Sequence, residues 1–258
     1  MFIQPLFAAN AAVYAIQNAT AEGKVTVVVL LILSLFSWTI ILSKFRQLLI
    51  ARKATKRFFT AYASTRDPLD IRRKGEEFDG APAYQLYIRG ADELDYQLKS
   101  NSVTVKGERR VSLASFDAVK VVLEEAASSE AVALEKGMIV LSTAVAGGPF
   151  IGLLGTVWGV MSTFAGIAES KAATLTAMAP GVAAALVATV TGLLVAIPAM
   201  FAYNFMVTSI RHLTAELDGF ASRYANQIEH VYVDNRDLED KIAMALTRAE
   251  LGENTPAI

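Results

Sequence analysis

Two long stretches without a charged residue constrain what this chain of 258 residues can fold into. The first covers residues 137–168 and the second covers residues 172–210, with Glu169 and Lys171 between them. An apolar helix of about 20 residues is long enough to cross the hydrocarbon core of a bilayer. Each stretch therefore predicts one transmembrane helix. The second stretch exceeds a single crossing, so we expect its helix either to tilt strongly or to extend into the cytoplasm.

A third apolar run, residues 25–42, also carries no charge, and basic residues follow it at once. Hydrophobic residues make up 53% of the chain, which favours a membrane protein over a soluble domain. Positive charge beside a transmembrane helix marks its cytoplasmic end. We therefore expect the N-terminus outside the membrane and the C-terminus in the cytoplasm. The basic residues are Lys44, Arg46, Arg52, Lys53, Lys56 and Arg57.

These patterns predict an all-α membrane protein with three transmembrane helices and long cytoplasmic helical extensions. The apolar spacing in the polar regions is helical, and no strand alternation of useful length is visible. We expect the last helix of the central domain, from about residue 107, to run without a break into the second span. In chain order, the predicted segments are an interfacial N-terminal segment 1–23, transmembrane helix 24–43, a cytoplasmic helical domain 44–136, transmembrane helix 137–168, an outer turn 169–174, transmembrane helix 175–208, and a cytoplasmic C-terminal helix and tail 209–258.

Charge and composition exclude several classes of function. The net charge of −1 argues against a nucleic-acid partner, and the runs 72–74 (basic) and 124–125 (acidic) are interpreted as a solvated helical surface. The chain has no cysteine and two histidines, so we expect no metal site and no cofactor. Because no HExxH, GxSxG or paired membrane aspartate is present, we predict that the protein is not an enzyme.

Small residues recur every three or four positions along both central spans. In lipid, such stripes allow helix backbones to approach closely. Packing within one chain would account for one stripe, but two stripes on three spans leave more packing surface than a monomer can use. We therefore predict a homo-oligomer. The residues assigned to helix packing or oligomerisation are Gly148, Gly152, Gly155, Gly159, Gly181, Ala185 and Gly192.

Threonines beside these stripes are candidate residues of an ion path. Thr156 and Thr163 lie two helical turns apart on one face. Thr189 lies at mid-depth of the third span, and Thr191 lies on a different face. The alternative is that each hydroxyl bonds back to a carbonyl one turn earlier in its own helix. No Asp, Glu, Lys, Arg or His lies within any span, so a proton path would need a partner that supplies the titrating group.

Several motifs in these spans resemble the MotA/TolQ/ExbB proton-channel family, most closely its TolQ and ExbB branch. The resemblance is specific over about residues 137–210, and the predicted topology supports it over the whole chain. The motifs are Phe150-Ile151-Gly152-Leu153-Leu154, Gly155-Thr156-Val157-Trp158-Gly159, Ala179-Pro180-Gly181-Val182-Ala183, Ala188-Thr189, and Ala196-Ile197-Pro198-Ala199 followed by Tyr203-Asn204.

The resemblance implies a pentameric ring of three-span subunits in the bacterial inner membrane, with the N-terminus in the periplasm. Such a ring encloses the helices of a single-span partner of the TolR/ExbD type, whose aspartate carries the proton. By motif, Thr156 and Thr189 line the proton path, and we assign Thr163 and Ala184 to the same pore. The proton-motive force would move one component against the other. The work would reach the outer membrane through the partner or through TonB-like or Pal-linked proteins.

One position departs from the family pattern. Many family members have a glutamate where this chain has Ala184. Alanine makes the expected pore wall more apolar and leaves the titrating group to the partner, and a threonine pore without that carboxylate favours protons over sodium ions. Two alternatives stay open from the sequence: a flagellar- or gliding-type stator subunit, and a structural membrane scaffold that conducts no ions.

Overall fold

A computed structural model describes residues 20–105, 108–170 and 175–234 of the chain. Three predicted segments lie wholly or partly outside the described residues: nearly all of the N-terminal segment 1–23, most of the turn 169–174, and the part of the C-terminal helix and tail 209–258 that follows residue 234. The elements, in chain order, are helix α1 (Ala21–Ala63), helix α2 (Asp70–Lys74), helix α3 (Pro82–Ser100), strands β1 (Ser102–Val105) and β2 (Glu108–Val111), helix α4 (Leu113–Glu135), helix α5 (Met138–Ser170) and helix α6 (Leu175–Tyr232).

Three helices in the described part of the chain are long and apolar enough to cross a membrane. They lie in Ala21–Ala63, Met138–Glu169 and Met178–Tyr232. The prediction of a mostly helical protein with three helices that could span a membrane is therefore confirmed by their length and composition. Helix α6 continues from the apolar stretch into the charged sequence, so the long third helix extends well beyond a single crossing.

A short β-hairpin interrupts the helical central region, so the prediction that this region contains no strand is wrong. Strand β1 pairs antiparallel with β2, and Val105 lies opposite Glu108. Each strand has four residues, which is too short for an alternating pattern to stand out from helical spacing. The backbone of Val111 also accepts a hydrogen bond from Asp234 N–H at 3.0 Å. The hairpin thus gains a partner that lies far away in the sequence.

The helix before the second span is also broken, contrary to the expectation of one unbroken helix. Helix α4 begins at Leu113, after the hairpin, and ends at Glu135. Gly137 then has a φ of 88°, in the left-handed region that glycine adopts without steric cost. A glycine just past a helix end is a common stop signal. Helix α5 therefore starts as a separate element at Met138.

The chain divides into two compact units. The membrane unit comprises the described residues of Met1–Ile50 and Val132–His212, and the polar unit comprises those of Ala51–Ala131 and Leu213–Ile258. In the membrane unit, large apolar side chains such as that of Phe150 are mostly exposed. Such an outward apolar surface is typical of helices that face lipid or other membrane proteins.

Aromatic rings form the centre of the polar unit. The ring centroid of Phe58 in α1 lies 5.3 Å from that of Phe220 in α6, and the two ring planes make an angle of 86°. The centroid of Tyr87 in α3 lies 5.6 Å from that of Phe58. Edge-to-face pairs of this kind add to the free energy gained from burial alone. Tyr62 completes this side of the cluster and donates a hydrogen bond from its hydroxyl to Gln227 Oε1 at 2.6 Å. The cluster joins the C-terminal parts of α1 and α6 to helix α3.

Candidate functional site

Glycines in α5 allow its backbone to lie directly against α6. At Gly152, an added β-carbon would lie 3.0 Å from the carbonyl oxygen of Ala188. At Gly159, it would lie 2.8 Å from Cβ of Ala185. Both distances are shorter than ordinary carbon contacts, so the two backbones approach more closely than side chains at these glycines would permit.

The two small-residue stripes face each other within one chain. Gly148 meets Gly192 and Ala196 at one end of the contact, and Gly159 meets Ala185 further along it. One intramolecular contact therefore uses both stripes. The expectation that one stripe is left over for a neighbouring subunit is wrong, because the two stripes pack against each other, and the homo-oligomer itself stays a prediction. The predicted pentamer has to be argued from other features.

Thr156 of α5 and Thr189 of α6 meet at this contact through their hydroxyl groups. Thr156 Oγ1 also lies 3.1 Å from the carbonyl oxygen of Ala185 and 3.3 Å from that of Gly152. Thr189 Oγ1 lies 3.2 Å from the Gly152 carbonyl oxygen. Both side chains are half-buried. The two hydroxyls therefore link facing helices, and a hydrogen bond back to their own helix does not describe them fully.

The number of protons limits how this hydroxyl pair can bond. Each threonine hydroxyl has one proton to donate and two lone pairs that accept. Because the two oxygens are in contact, one hydroxyl donates to the other, and the second donates to a carbonyl. Thr189 can donate to Thr156, which donates to Ala185, or the order reverses and Thr189 donates to Gly152. In either order, both hydroxyl protons are donated within the chain. The two hydroxyl oxygens can then offer another molecule only their remaining lone pairs, as hydrogen-bond acceptors.

Thr163 and Thr191 do not join this pair. The Thr163 hydroxyl donates to the carbonyl of Gly159 at 2.8 Å, and its oxygen occupies the space that a β-carbon at Gly181 would need. Thr191 donates to its own helix, to the carbonyl of Val187 at 2.8 Å. Both hydroxyls therefore bond back to their own helix, which is the alternative that the sequence left open for each threonine.

Ala184 lies on α6 and is 9% exposed in the single chain. It is therefore covered by its own chain and does not lie on an open surface. Its neighbour Ala185 packs against Gly159. Whether Ala184 lines a pore stays a prediction, as do the pore-lining roles of the three threonines.

A third helix, α1, also lies at this contact and was not predicted from the sequence. A β-carbon on Gly155 would lie 2.7 Å from Cβ of Ala188 and 2.8 Å from Cγ2 of Thr26 in α1. Thr26 is 3% exposed, and its hydroxyl donates to the carbonyl of Glu22 at 2.9 Å. Gly155 is thus a position where all three candidate spans meet. Thr26 is the only hydroxyl residue between Val25 and Leu33, and that signal could have identified it.

The polar groups at the contact are hydroxyls and carbonyls. Residues 25–42, 137–168 and 172–210 contain no Asp, Glu, Lys, Arg or His, and within residues 20–105, 108–170 and 175–234 no cluster of three or more His, Cys, Asp or Glu side chains could hold a metal ion. Hydroxyls and carbonyls can bind water, a carboxyl group or a proton carrier. They cannot themselves titrate at neutral pH.

Comparison with known proteins gives the same family as the motifs. The model of the MotA/TolQ/ExbB proton channel family matches residues 96–219. A biopolymer transport protein ExbB of Xanthomonas campestris pv. campestris (strain B100) is 32% identical over 203 residues, which cover 78% of this chain and 79% of the relative. A Tol-Pal system protein TolQ of Haemophilus influenzae is 29% identical over 217 residues, or 80% of this chain and 89% of the relative. A TolQ of Pseudomonas aeruginosa is 32% identical over 191 residues, with coverages of 73% and 80%.

These similarities extend beyond the two central spans into the polar unit, since they cover about three quarters of the chain or more. The region that matches the family model includes both Thr156 and Thr189. By sequence similarity across most of its length, the chain belongs to the MotA/TolQ/ExbB proton channel family.

Proposed function

We propose that the chain is a subunit of a proton-conducting motor in the bacterial inner membrane, which uses the proton-motive force to energise Tol-Pal or TonB-type processes. The observation that carries this proposal is the hydroxyl contact between Thr156 and Thr189, in spans that hold no charge. Family membership supports it, and relatives bear the names of a biopolymer transport protein and a Tol-Pal system protein. Those names favour this branch over a flagellar or gliding stator.

A partner must supply the group that carries the proton, because these apolar stretches contain no acidic, basic or histidine side chain. We propose a single-span protein of the TolR/ExbD type with an aspartate in its membrane helix. Five copies of the chain, with N-termini in the periplasm and C-termini in the cytoplasm, would surround the partner helices. Outer-membrane work would pass through the partner or through TonB-like or Pal-linked proteins. The large exposed apolar surface of the membrane unit supports contacts with lipid and with neighbouring subunits.

The hydroxyl pair responds differently to the two states of such an aspartate. A protonated carboxyl can donate to a free lone pair of Thr156 or Thr189 without disturbing the pair. A carboxylate requires a donor, so one hydroxyl must turn its proton away from its carbonyl partner. Burial of a carboxylate without donors costs several kcal/mol. The ionised partner therefore depends on a hydroxyl of the pair as its donor, whereas the protonated partner needs no donor and can move past the alanines.

Proton flux tests this mechanism directly. The full chain and its partner would be reconstituted into vesicles, and the decay of an imposed pH gradient would be followed with a pH-sensitive dye. Thr156→Val and Thr189→Val remove a hydroxyl with little change in volume. A hydrogen bond to a charged group contributes about 1.5–3 kcal/mol. We expect each variant to reduce the flux by roughly 10- to 100-fold.

The matched control is Thr191→Val, which removes a hydroxyl bonded within its own helix. It should conduct like the wild type, and all variants should co-purify with the partner. Normal flux through both Thr156→Val and Thr189→Val would refute the role of the pair. A wild-type complex that assembles but passes no protons would identify the protein as a structural scaffold.

A further inference from the structure

The polar unit contains a cavity of about 620 Å³ that the proposed motor function does not use. It lies beside α2, the C-terminal parts of α3 and α6, and the hairpin strand β2. Volumes of this size are typical of pockets for small molecules. Four cationic side chains and two carboxylates line it, so the net charge of the lining is positive. These residues are Arg72, Arg73, Lys99 and Arg109, with Asp67 and Asp95.

Arg72 is held in place by helix α3. Its guanidinium lies 2.9 Å from Asp92 and 3.2 Å from Asp95, and it donates to the carbonyl of Ala91 at 3.0 Å. The run 72–74 was predicted to lie on a solvated helical surface, whereas the Arg72 side chain is 33% exposed and fixed by these bonds. An arginine has five N–H donors, so donors are left over after these contacts.

Arg73 is held by a second set of partners. One guanidinium nitrogen lies 2.5 Å from Asp67, and the other donates to the Tyr232 hydroxyl at 3.1 Å. The Tyr232 hydroxyl in turn lies 2.7 Å from Asp67 Oδ1. Two consecutive arginines are therefore oriented by separate carboxylates on the wall of one cavity. Fixed guanidinium groups lose little conformational entropy on binding an anion.

With Lys99 and Arg109, the cavity lining has more cations than carboxylates. Lys99 lies 2.7 Å from Asp95, a carboxylate that it shares with Arg72. Arg109, on strand β2, is exposed and has no ion-pair partner among the residues that the structure describes. A concave site with excess charge of one sign raises the local concentration of counter-ions. Guanidinium groups match phosphate oxygens with paired hydrogen bonds.

The rest of the lining consists of Tyr232 and of an apolar wall formed by Leu69, Leu98 and Val231. An inorganic anion would not need this surface, and a flat protein surface would not need a cavity. From the size, the charge and this apolar wall, we infer that the cavity binds a phosphorylated small molecule of nucleotide size. Its phosphates would contact the basic residues, and its organic part would lie against the three apolar side chains.

Isothermal titration of the full chain in detergent, with ADP as the probe, tests this inference. We expect saturable binding of ADP that inorganic pyrophosphate competes away, and no binding of adenosine, which has the organic part without the charge. In the double variant Lys99→Gln/Arg109→Gln, the dissociation constant of ADP should rise at least about tenfold. The fold should be retained because both side chains are exposed.

The control variant is Lys74→Gln, which removes an exposed cation from the same region, on helix α2 but outside the cavity lining. It should bind ADP like the wild type. The inference is overturned by any of three results: no saturable binding into the millimolar range, equal affinity for adenosine and ADP, or equal affinity in the double variant and the wild type. Proton flux does not enter this experiment, so its outcome is independent of the proposed function.

Discussion

A β-carbon on Gly192 of α6 would lie 2.5 Å from the carbonyl oxygen of Gly148 in α5. The same β-carbon would lie 3.1 Å from Cα of Gly152. Both neighbours are backbone atoms, which cannot rotate away as a side chain can. The contact that brings Thr156 and Thr189 together therefore depends on the absence of a side chain at Gly192.

We expect Gly192→Ala to destabilise the membrane unit. The methyl group would force the two helices apart, and overpacking of this kind costs about 1–3 kcal/mol. Thermal unfolding of the detergent-solubilised chain would measure the loss. The control is Gly147→Ala in α5, where an added β-carbon meets nothing within 4 Å. Equal unfolding temperatures for the two variants would contradict the close approach.

Ala184→Glu tests whether this position reaches water. The residue is 9% exposed in the single chain, and burial of an unpaired carboxylate costs several kcal/mol. We therefore expect the purified variant to unfold at a clearly lower temperature than the wild type at pH 7. Ala184→Gln has nearly the same shape without the charge, so it should lose less. If the glutamate variant were as stable as the wild type, the side chain would have to reach solvent, as in an open pore.

The features that the sequence predicted well depend on local composition. Runs without charge identified the three spans, because an ionised group in hydrocarbon is costly. Helical spacing placed Thr156 and Thr163 on one face of α5, and the family motif added Thr189 of α6. The direct contact between Thr156 and Thr189 was not predicted, since it depends on how two helices are rotated towards each other.

The features that the sequence did not predict depend on contacts between distant residues. The hairpin at 102–111 is short, and its Val111 carbonyl accepts a hydrogen bond from the N–H of Asp234, which is far away in the sequence. Gly137 ends a helix inside an otherwise uninterrupted helical pattern, and a single glycine is a weak signal. The stripes were visible, but spacing alone does not show which surface a stripe packs against.

Lys44→Met should destabilise the start of the second span. Lys44 is 6% exposed, and its ammonium donates to the Leu134 carbonyl at 3.0 Å and to Gln47 Oε1 at 2.8 Å. Leu134 lies in the last turn of α4, where carbonyls lack partners within the helix, and a cation is favourable there. Methionine keeps the length of the side chain but leaves the carbonyl unpaired, at a cost of about 1–3 kcal/mol.

Denaturant unfolding would measure the effect of Lys44→Met, with Lys53→Met as the control. Lys53 is exposed on the same helix, so its loss should change the free energy of unfolding little. The proposed role of Lys44 at the end of α4 requires the first variant to be the less stable one. If both variants unfolded at the same denaturant concentration, this role would be excluded.

Asp67→Asn should make the stability of the polar unit less dependent on pH. Burial by itself raises the pKa of Asp67, but hydrogen bonds from Leu69 N–H, the Tyr232 hydroxyl and Arg73 outweigh it and lower the pKa. A carboxyl with a lowered folded-state pKa stabilises the fold above its unfolded pKa, about 3.9, and loses this contribution as the pH falls through the folded value. The wild type should therefore be more stable than the variant at pH 7, and the difference should shrink below about pH 4.

Asp79→Asn, at an exposed carboxylate, is the control. A difference between wild type and Asp67→Asn that stayed constant from pH 7 to the acid limit of folding would show that the charge of Asp67 does not contribute to stability.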